Sequence, residues 1–213
     1  MNLFSYFWPF SRRYYSEING ELEVSSFQGR KVLNSKNANY SYGPLQEVLE
    51  YGLSKIDLEP VRKVLILGLG GGSAIESLRK KFRFKYPITA VEIDPEMIRI
   101  ARKEFRINTY TNLEIVNADA LQYAAKTREK FDLILIDLFI DTRVPQFFYE
   151  EIFCGNISRI LTPKGVFLFN MGMSLPDEVQ KAAEVQAHFG DGFEFQTFSK
   201  VYLGNFLLIG KKK

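Results

Sequence analysis

Four stretches of this chain pair residue types that do chemistry with a spacing that lets them meet. The first is the run 64–72, Val-Leu-Ile-Leu-Gly-Leu-Gly-Gly-Gly, an apolar strand entering a glycine-rich turn with a helical pattern directly behind it. Gly68, Gly70, Gly71 and Gly72 let backbone approach a ligand closely, and the helix start supplies unpaired N–H groups. The second is Glu92, 20 residues past Gly72 at the end of the next apolar run, where a carboxylate can accept from both hydroxyls of a ribose. The third is Asp119 in Asn117-Ala118-Asp119-Ala120. It either accepts from an adenine amino group or caps the helix that follows. The fourth is Asp137, directly behind Leu133-Ile134-Leu135-Ile136, since a charge ending so apolar a strand needs a partner or water. As a set they have the layout of a nucleotide-cofactor site with an acid beside it.

Such a set works only if one sheet edge collects it. From Val61 the pattern alternates apolar strands with amphipathic helices. Strands are expected over 64–67, 88–93, 113–116, 131–136 and 166–170, and helices over 73–82, 95–105, 120–127, 144–161 and 177–189. Asp94 caps the second helix, with Pro95 in its first turn. Asp132 enters the fourth strand at the far edge and reads as structural. This alternation implies a mainly parallel sheet covered on both faces, with ligands outside its carboxyl edge. Two closing strands, 193–198 and 205–209, read as an antiparallel pair. Ahead of this region, Tyr14 to Ile18, Glu21 to Phe27 and Lys31 to Leu33 read as short strands. Asn19-Gly20 and Gln28-Gly29 supply their turns. Leu45, Val48, Leu49 and Leu53 mark an entry helix after Gly43-Pro44. The division expected is 1–43 as an aromatic arm with a small β region, then 44–213 as the cofactor-binding α/β unit. Tyr40-Ser41-Tyr42-Gly43-Pro44 would cover the cofactor as a lid or pack between the two regions.

At 213 residues, 46% hydrophobic and 25% charged, the chain is long enough for a full core and ordinary for a globular protein. Its net charge of +3 comes from Lys211, Lys212 and Lys213; removing those from 28 basic residues leaves 25 against 25 acidic ones. A neutral body gives nucleic acid little to hold, so none is expected as partner. No segment reaches the length of a membrane span. Cys154 is the only cysteine, which excludes an internal disulfide and suggests a reducing cytoplasm. His188 is the only histidine, closing an amphipathic helix, and reads as structural. The basic run Arg79-Lys80-Lys81 with Arg83 and Lys85 sits where cations oppose a helix dipole. The opening Leu3 to Phe10 is strongly aromatic and reads as an arm packing on the body or on a second subunit. A homodimer through this N-terminal region would follow.

The motifs Val64 to Gly72, Val91-Glu92-Ile93-Asp94-Pro95 and Asp132 to Asp137, with the β region in front, resemble the Rossmann-like S-adenosylmethionine-dependent methyltransferase superfamily. Within it they resemble the spermidine synthase-like group, over roughly residues 14 to 172. The position two before Gly68 is Ile66, as is usual in that group, where most methyltransferases place an acid. The resemblance implies Gly68, Gly70 and Gly72 against the methionine part of S-adenosylmethionine, Glu92 on the ribose and Asp119 on the adenine. It implies Asp137 as the acid that helps deprotonate an attacking amine, and Gln46 approaching the cofactor from the entry helix. Three positions depart from the aminopropyltransferases of the group. Gly71 stands where they carry an aspartate, Leu45 where they carry a tyrosine, and Ile140 where they carry a second aspartate, with Asp141 one residue late.

The first reading is therefore an S-adenosylmethionine-dependent methyltransferase with a small-molecule acceptor that the sequence does not identify. Aminopropyl transfer from decarboxylated S-adenosylmethionine is the alternative, and a non-catalytic nucleotide-binding module is a third, since fold alone does not prove activity. A nicotinamide dehydrogenase is disfavoured by the strand count, the position of Asp119 and the terminal hairpin.

Overall fold

The computed structural model describes residues 11–27, 30–35, 39–140, 143–173, 176–202 and 204–213. The aromatic arm 1–10, the Gln28-Gly29 turn and Asp141 lie outside the described residues. The second half of the fold follows from apolar strands too hydrophobic to face water on either side. Strands β5 (Val64–Leu67), β6 (Ile88–Glu92) and β8 (Phe131–Ile136) are buried almost end to end, as central parallel strands must be. With β7 (Leu113–Asn117), β9 (Leu161–Met173), β10 (Phe193–Val201) and β11 (Asn205–Lys212) they form one seven-stranded sheet, ordered β10-β11-β9-β8-β5-β6-β7. The strands from β5 to β9 pair in parallel, and β11 runs antiparallel to both β9 and β10. This is the expected α/β fold with a terminal antiparallel hairpin.

Helices cover both faces. Val48, Leu49 and Leu53 of α1 (Pro44–Leu53) bury one face together with Ala74 and Ile75 of α2 (Ser73–Glu76) and Ile98 and Ala101 of α3 (Pro95–Glu104). The opposite face takes Ala120 and Ala124 of α4 (Ala120–Lys126), Phe153 and Ile157 of α5 (Glu151–Ile160) and Ala182 and Val185 of α6 (Pro176–Phe189). Each large aliphatic or aromatic side chain so buried contributes about 1.5–3 kcal/mol. No helix among the described residues is long and apolar enough to cross a membrane.

In front lies a four-stranded antiparallel sheet, β1 (Ser11–Ser16), β2 (Gly20–Phe27), β3 (Arg30–Ser35) and β4 (Asn39–Ser41), in that order. Leu22, Val24 and Leu33 pack it onto Met97 and Ile100 of α3. One buried carboxylate pins the contact. Glu104 accepts from the Tyr14 hydroxyl at 2.6 Å, Lys31 at 2.7 Å and Arg12 at 3.0 Å. Burial pushes its carboxyl up, but the three donors outweigh burial and hold it at about 2. An unfolded glutamate titrates near ~4.3, so this anchor is complete above that pH and fails as pH falls toward the folded value. Glu104→Gln is expected to lower the thermal midpoint by about 4 °C near neutral pH. The difference from wild type should shrink on acidification, and a pH-independent difference would show that the anchor is not ionic.

Three local expectations need correction. The hairpin expected around Asn19-Gly20 closes through residues 17–19, with Ser16 opposite Gly20 at φ +67°. The Ser16 hydroxyl accepts from the Ile18 and Asn19 N–H groups at 3.0 and 2.9 Å, which ends β1 two residues early. The helix expected from Val144 begins only at Glu151, behind a 3₁₀ turn at Gln146–Phe148; Pro145 disfavours helical backbone at Val144. The turn expected at Thr162 to Gly165 is instead an irregularity inside β9, between Leu161, opposite Phe131, and Val166, opposite Leu133. The short β4 was not anticipated.

Candidate functional site

Parallel register brings the chemistry into one row. Leu67 pairs with Val91 and with Ile136, and Ile136 pairs with Phe169. The residues one step further, Gly68, Glu92, Asp137 and Asn170, therefore stand side by side at the carboxyl edge, with Asn117 opposite Glu92. Above this row lies a cavity of about 340 Å³, whose wall includes Gly68, Gly70, Glu92, Asp119 and Asp137.

Gly68 is required by close approach. Its φ is +91°, and a Cβ added there would lie 2.1 Å from the carbonyl oxygen of Asp137. The loop then wraps the Glu92 carboxylate. Oε2 accepts from the N–H groups of Leu69 at 3.1 Å and Gly70 at 3.3 Å, and Oε1 accepts from that of Asp94 at 3.0 Å. Burial raises the pKa of Glu92, opposed by those backbone donors. Three of the roughly four acceptor positions of a carboxylate are thus filled, and the side chain still borders the cavity. Asp94 caps α3 through Oδ1, which accepts from Glu96 N–H at 2.9 Å. Its Oδ2 accepts from the Ser16 hydroxyl at 2.5 Å and the Asn19 amide at 2.6 Å. That contact holds the β1–β2 tip at the cavity, so Ile18 and Asn19 join the wall.

Asp119 is both a helix cap and a wall residue. It caps α4 by accepting from Gln122 N–H at 2.9 Å and also lines the cavity. Asp137 accepts from the Asn170 side-chain amide at 2.9 Å, and the Asn170 side-chain Oδ1 accepts from Gly172 N–H at 3.3 Å. Burial pushes the Asp137 carboxyl up to about 6, with the Asn170 bond working against it.

Gly71, Gly72 and Gln46, expected at the ligand, are not on the wall. A Cβ on Gly71 would meet Ser41 at 2.9 Å and then Phe105, and one on Gly72 would meet Ile107 at 2.5 Å. These two glycines let the N-terminus of α2 pack against its neighbours; Gly72, at φ +91°, is its cap. The Gln46 amide donates to Ser77 at 3.0 Å and Glu50 at 3.2 Å. Successive helical residues point about 100° apart, so Leu45 faces the cavity instead. Of the segment 40–44, Tyr42 is buried with its ring stacked on Phe105 at 4.6 Å, and its hydroxyl donates to the Gly71 carbonyl at 3.4 Å. It packs between the two regions, and burial raises its pKa.

Groups outside the cavity have structural partners. The Arg79 guanidinium donates to the carbonyls of Phe84, Tyr86, Thr111 and Asn112, while Lys80 and Lys81 pair with Glu76 and Glu50. Asp132 accepts from the N–H groups of Arg62 and Lys63. Cys154 is buried, and burial pushes its thiol up to about 12; such a thiol is not a nucleophile at neutral pH. His188 is exposed at the end of α6. Among the described residues no cluster of His, Cys, Asp and Glu could hold a metal ion.

Sequence reasoning missed Ile18, Asn19, Phe147, Met173 and Asn205, all on the wall, and the Asn170 partner of Asp137. A polar residue closing the apolar run 166–169 was a usable signal for Asn170. The others depend on how separate elements dock, and no local pattern marks them.

Comparison with known proteins gives a consistent result. The family profile described as spermine/spermidine synthase domain matches residues 51–175. The eEF1A lysine and N-terminal methyltransferase of Homo sapiens is 34% identical over 128 residues, covering 54% of this chain and 18% of that protein. Polyamine aminopropyltransferase 2 of Aquifex aeolicus is 35% identical over 127 residues, covering 54% and 24%. The chain thus spans about a quarter or less of the length of these relatives. The crystal structure of human methyltransferase-like protein 13 in complex with SAH superposes with a TM-score of 0.65 at 28% identity. That match covers 81% of this chain and 83% of that one.

Proposed function

The chain belongs to the spermine/spermidine synthase domain family, and we propose that it acts as an S-adenosylmethionine-dependent methyltransferase. The observation that carries this reading is the row of Gly68, Glu92 and Asp137 under one cavity, with Asp119 on its wall. The residues present fit the donor. Glu92 is a buried acceptor with capacity left for a ribose hydroxyl, and Asp119, on the same wall, would accept from a base amino group. The missing side chains of Gly68 and Gly70 leave backbone bordering the cavity. When bound, such a donor supplies an electrophilic methyl group on a cationic sulfur and leaves with the bonding pair. The chain would hold an acceptor in line and take its proton at the free oxygen of Asp137. A carboxyl tuned to about 6 is ionised at neutral pH and basic enough for that task. Positioning would supply most of the remaining rate.

Aminopropyl transfer from decarboxylated S-adenosylmethionine is a second reading. It is favoured by one observation: no Lys or Arg lines the cavity among the described residues, so a methionine carboxylate would meet neutral donors alone. It is disfavoured by Leu45 on the wall and by Gly71, which faces Ser41 rather than the cavity. Titrating both donors by calorimetry separates the two readings, and tighter binding of the decarboxylated form would reverse their order. Glu92→Ala should weaken S-adenosylhomocysteine by about tenfold or more, the loss of a charge-assisted hydrogen bond of ~1.5–3 kcal/mol. Glu92→Gln, which keeps an acceptor for the loop N–H groups, should fall between. Wild-type affinity in a folded Glu92→Ala protein would remove the ribose role.

A further inference from the structure

The sheet order divides the cavity chemically. Gly68 follows β5 in the centre, Glu92 and Asp119 follow β6 and β7 on one side, and Asp137 follows β8 on the other. On the β6–β7 side two carboxylates, Glu92 and Asp119, line the wall. On the β8–β9 side Asp137 is the only charged group on the wall among the described residues, and that side is otherwise lined mainly by Phe139, Ile140, Pro145, Phe147, Phe148 and Met173, with Asn205 opposite Met173. Three of these remain open to water at the mouth, with Ile140 58%, Phe147 39% and Met173 54% exposed. Apolar surface gathered around a pocket mouth marks a place that another apolar body covers.

We propose that the acceptor is a mainly apolar molecule carrying one amine or hydroxyl nucleophile, held by Asp137 within this apolar half-cavity, and not a polyamine. The inference rests on the methyl-transfer reading. A polyamine carries two or more ammonium groups. One can meet Asp137, but the next would be stripped of water against phenylalanine and methionine side chains, with no second carboxylate among the described residues of that side to replace it. An aryl or alkyl body gains from the same surface by burial. Phe147 and Phe148, their rings 4.4 Å apart, offer a tilted pair against which such a body can lie.

The test uses the whole protein saturated with S-adenosylhomocysteine and a matched pair of amines. Phenylbutylamine and putrescine share a primary amine on the same stem and differ in a phenyl ring against a second ammonium. Calorimetry should find phenylbutylamine bound about tenfold or more tightly, with that advantage reduced by Phe147→Asp and its affinity reduced by Asp137→Asn. Equal or tighter binding of putrescine or spermidine to the wild type overturns the acceptor class, as does binding of neither amine. Failure of S-adenosylhomocysteine to bind overturns the donor reading instead, and the same pair titrated against the donor-free protein still judges the acceptor.

Discussion

Asp137→Asn is expected to lower turnover by ~10²–10⁴-fold while leaving S-adenosylhomocysteine affinity within about twofold. Asparagine keeps the shape and can still accept from Asn170, so the substitution removes the proton acceptor and little else. The same variant tests for a structural role without any acceptor in hand. In the folded protein burial raises this carboxyl to about 6, against ~3.9 when unfolded. Between those values the folded state binds more protons, so wild-type stability falls as pH rises through the window and stays lower above it. Removing the buried charge removes that penalty. Asp137→Asn should therefore be more stable than wild type above about pH 6, by on the order of 2 kcal/mol, and equal to it below about pH 4. Urea unfolding across that range reads the difference. A variant less stable at every pH would mark Asp137 as a structural cap, and near-normal turnover would remove it as the base.

Gly68→Ala is expected to cost stability and ligand binding together. The added Cβ would sit 2.1 Å from the Asp137 carbonyl oxygen at a φ of +91°, and the obstacle is backbone of the neighbouring turn rather than a side chain that can swing away. Left-handed strain and displacement of that turn should amount to about 3 kcal/mol or more, or roughly 6–12 °C in thermal midpoint. S-adenosylhomocysteine affinity should fall in the same variant, because the loop cannot move without loosening its N–H bonds to Glu92. Gly155→Ala provides the control. Gly155 lies inside α5 with nothing within 4 Å of an added Cβ, so alanine there should be neutral or stabilising by up to ~1 kcal/mol. If Gly68→Ala proves as stable as Gly155→Ala, the glycine loop does not approach the Asp137 turn as described.

The amino-acid sequence by itself determined the elements that short-range rules control. Apolar runs such as 64–67 and 133–136 read as doubly buried strands, Asp94-Pro95 as a helix start, and alternation from Val61 as a parallel sheet. Because ligands bind at the carboxyl ends of such strands, Gly68, Glu92, Asp119 and Asp137 were legible as one edge from strand ends alone. Tertiary structure decided everything that depends on which surfaces touch. It turned Gly71 and Gly72 toward Ser41, Phe105 and Ile107, gave Gln46 to Ser77, and put Leu45 on the wall. It brought Ile18 and Asn19 to the cavity through the Ser16 and Asn19 bonds to Asp94, and gave Asp137 its Asn170 partner across the β8–β9 register. The physical reason is range. Periodicity and capping act over a few residues and leave a trace in the sequence. Docking of a hairpin tip, the rotation of a helix about its axis and the offset between strands are set by burial and hydrogen bonds between residues tens of positions apart.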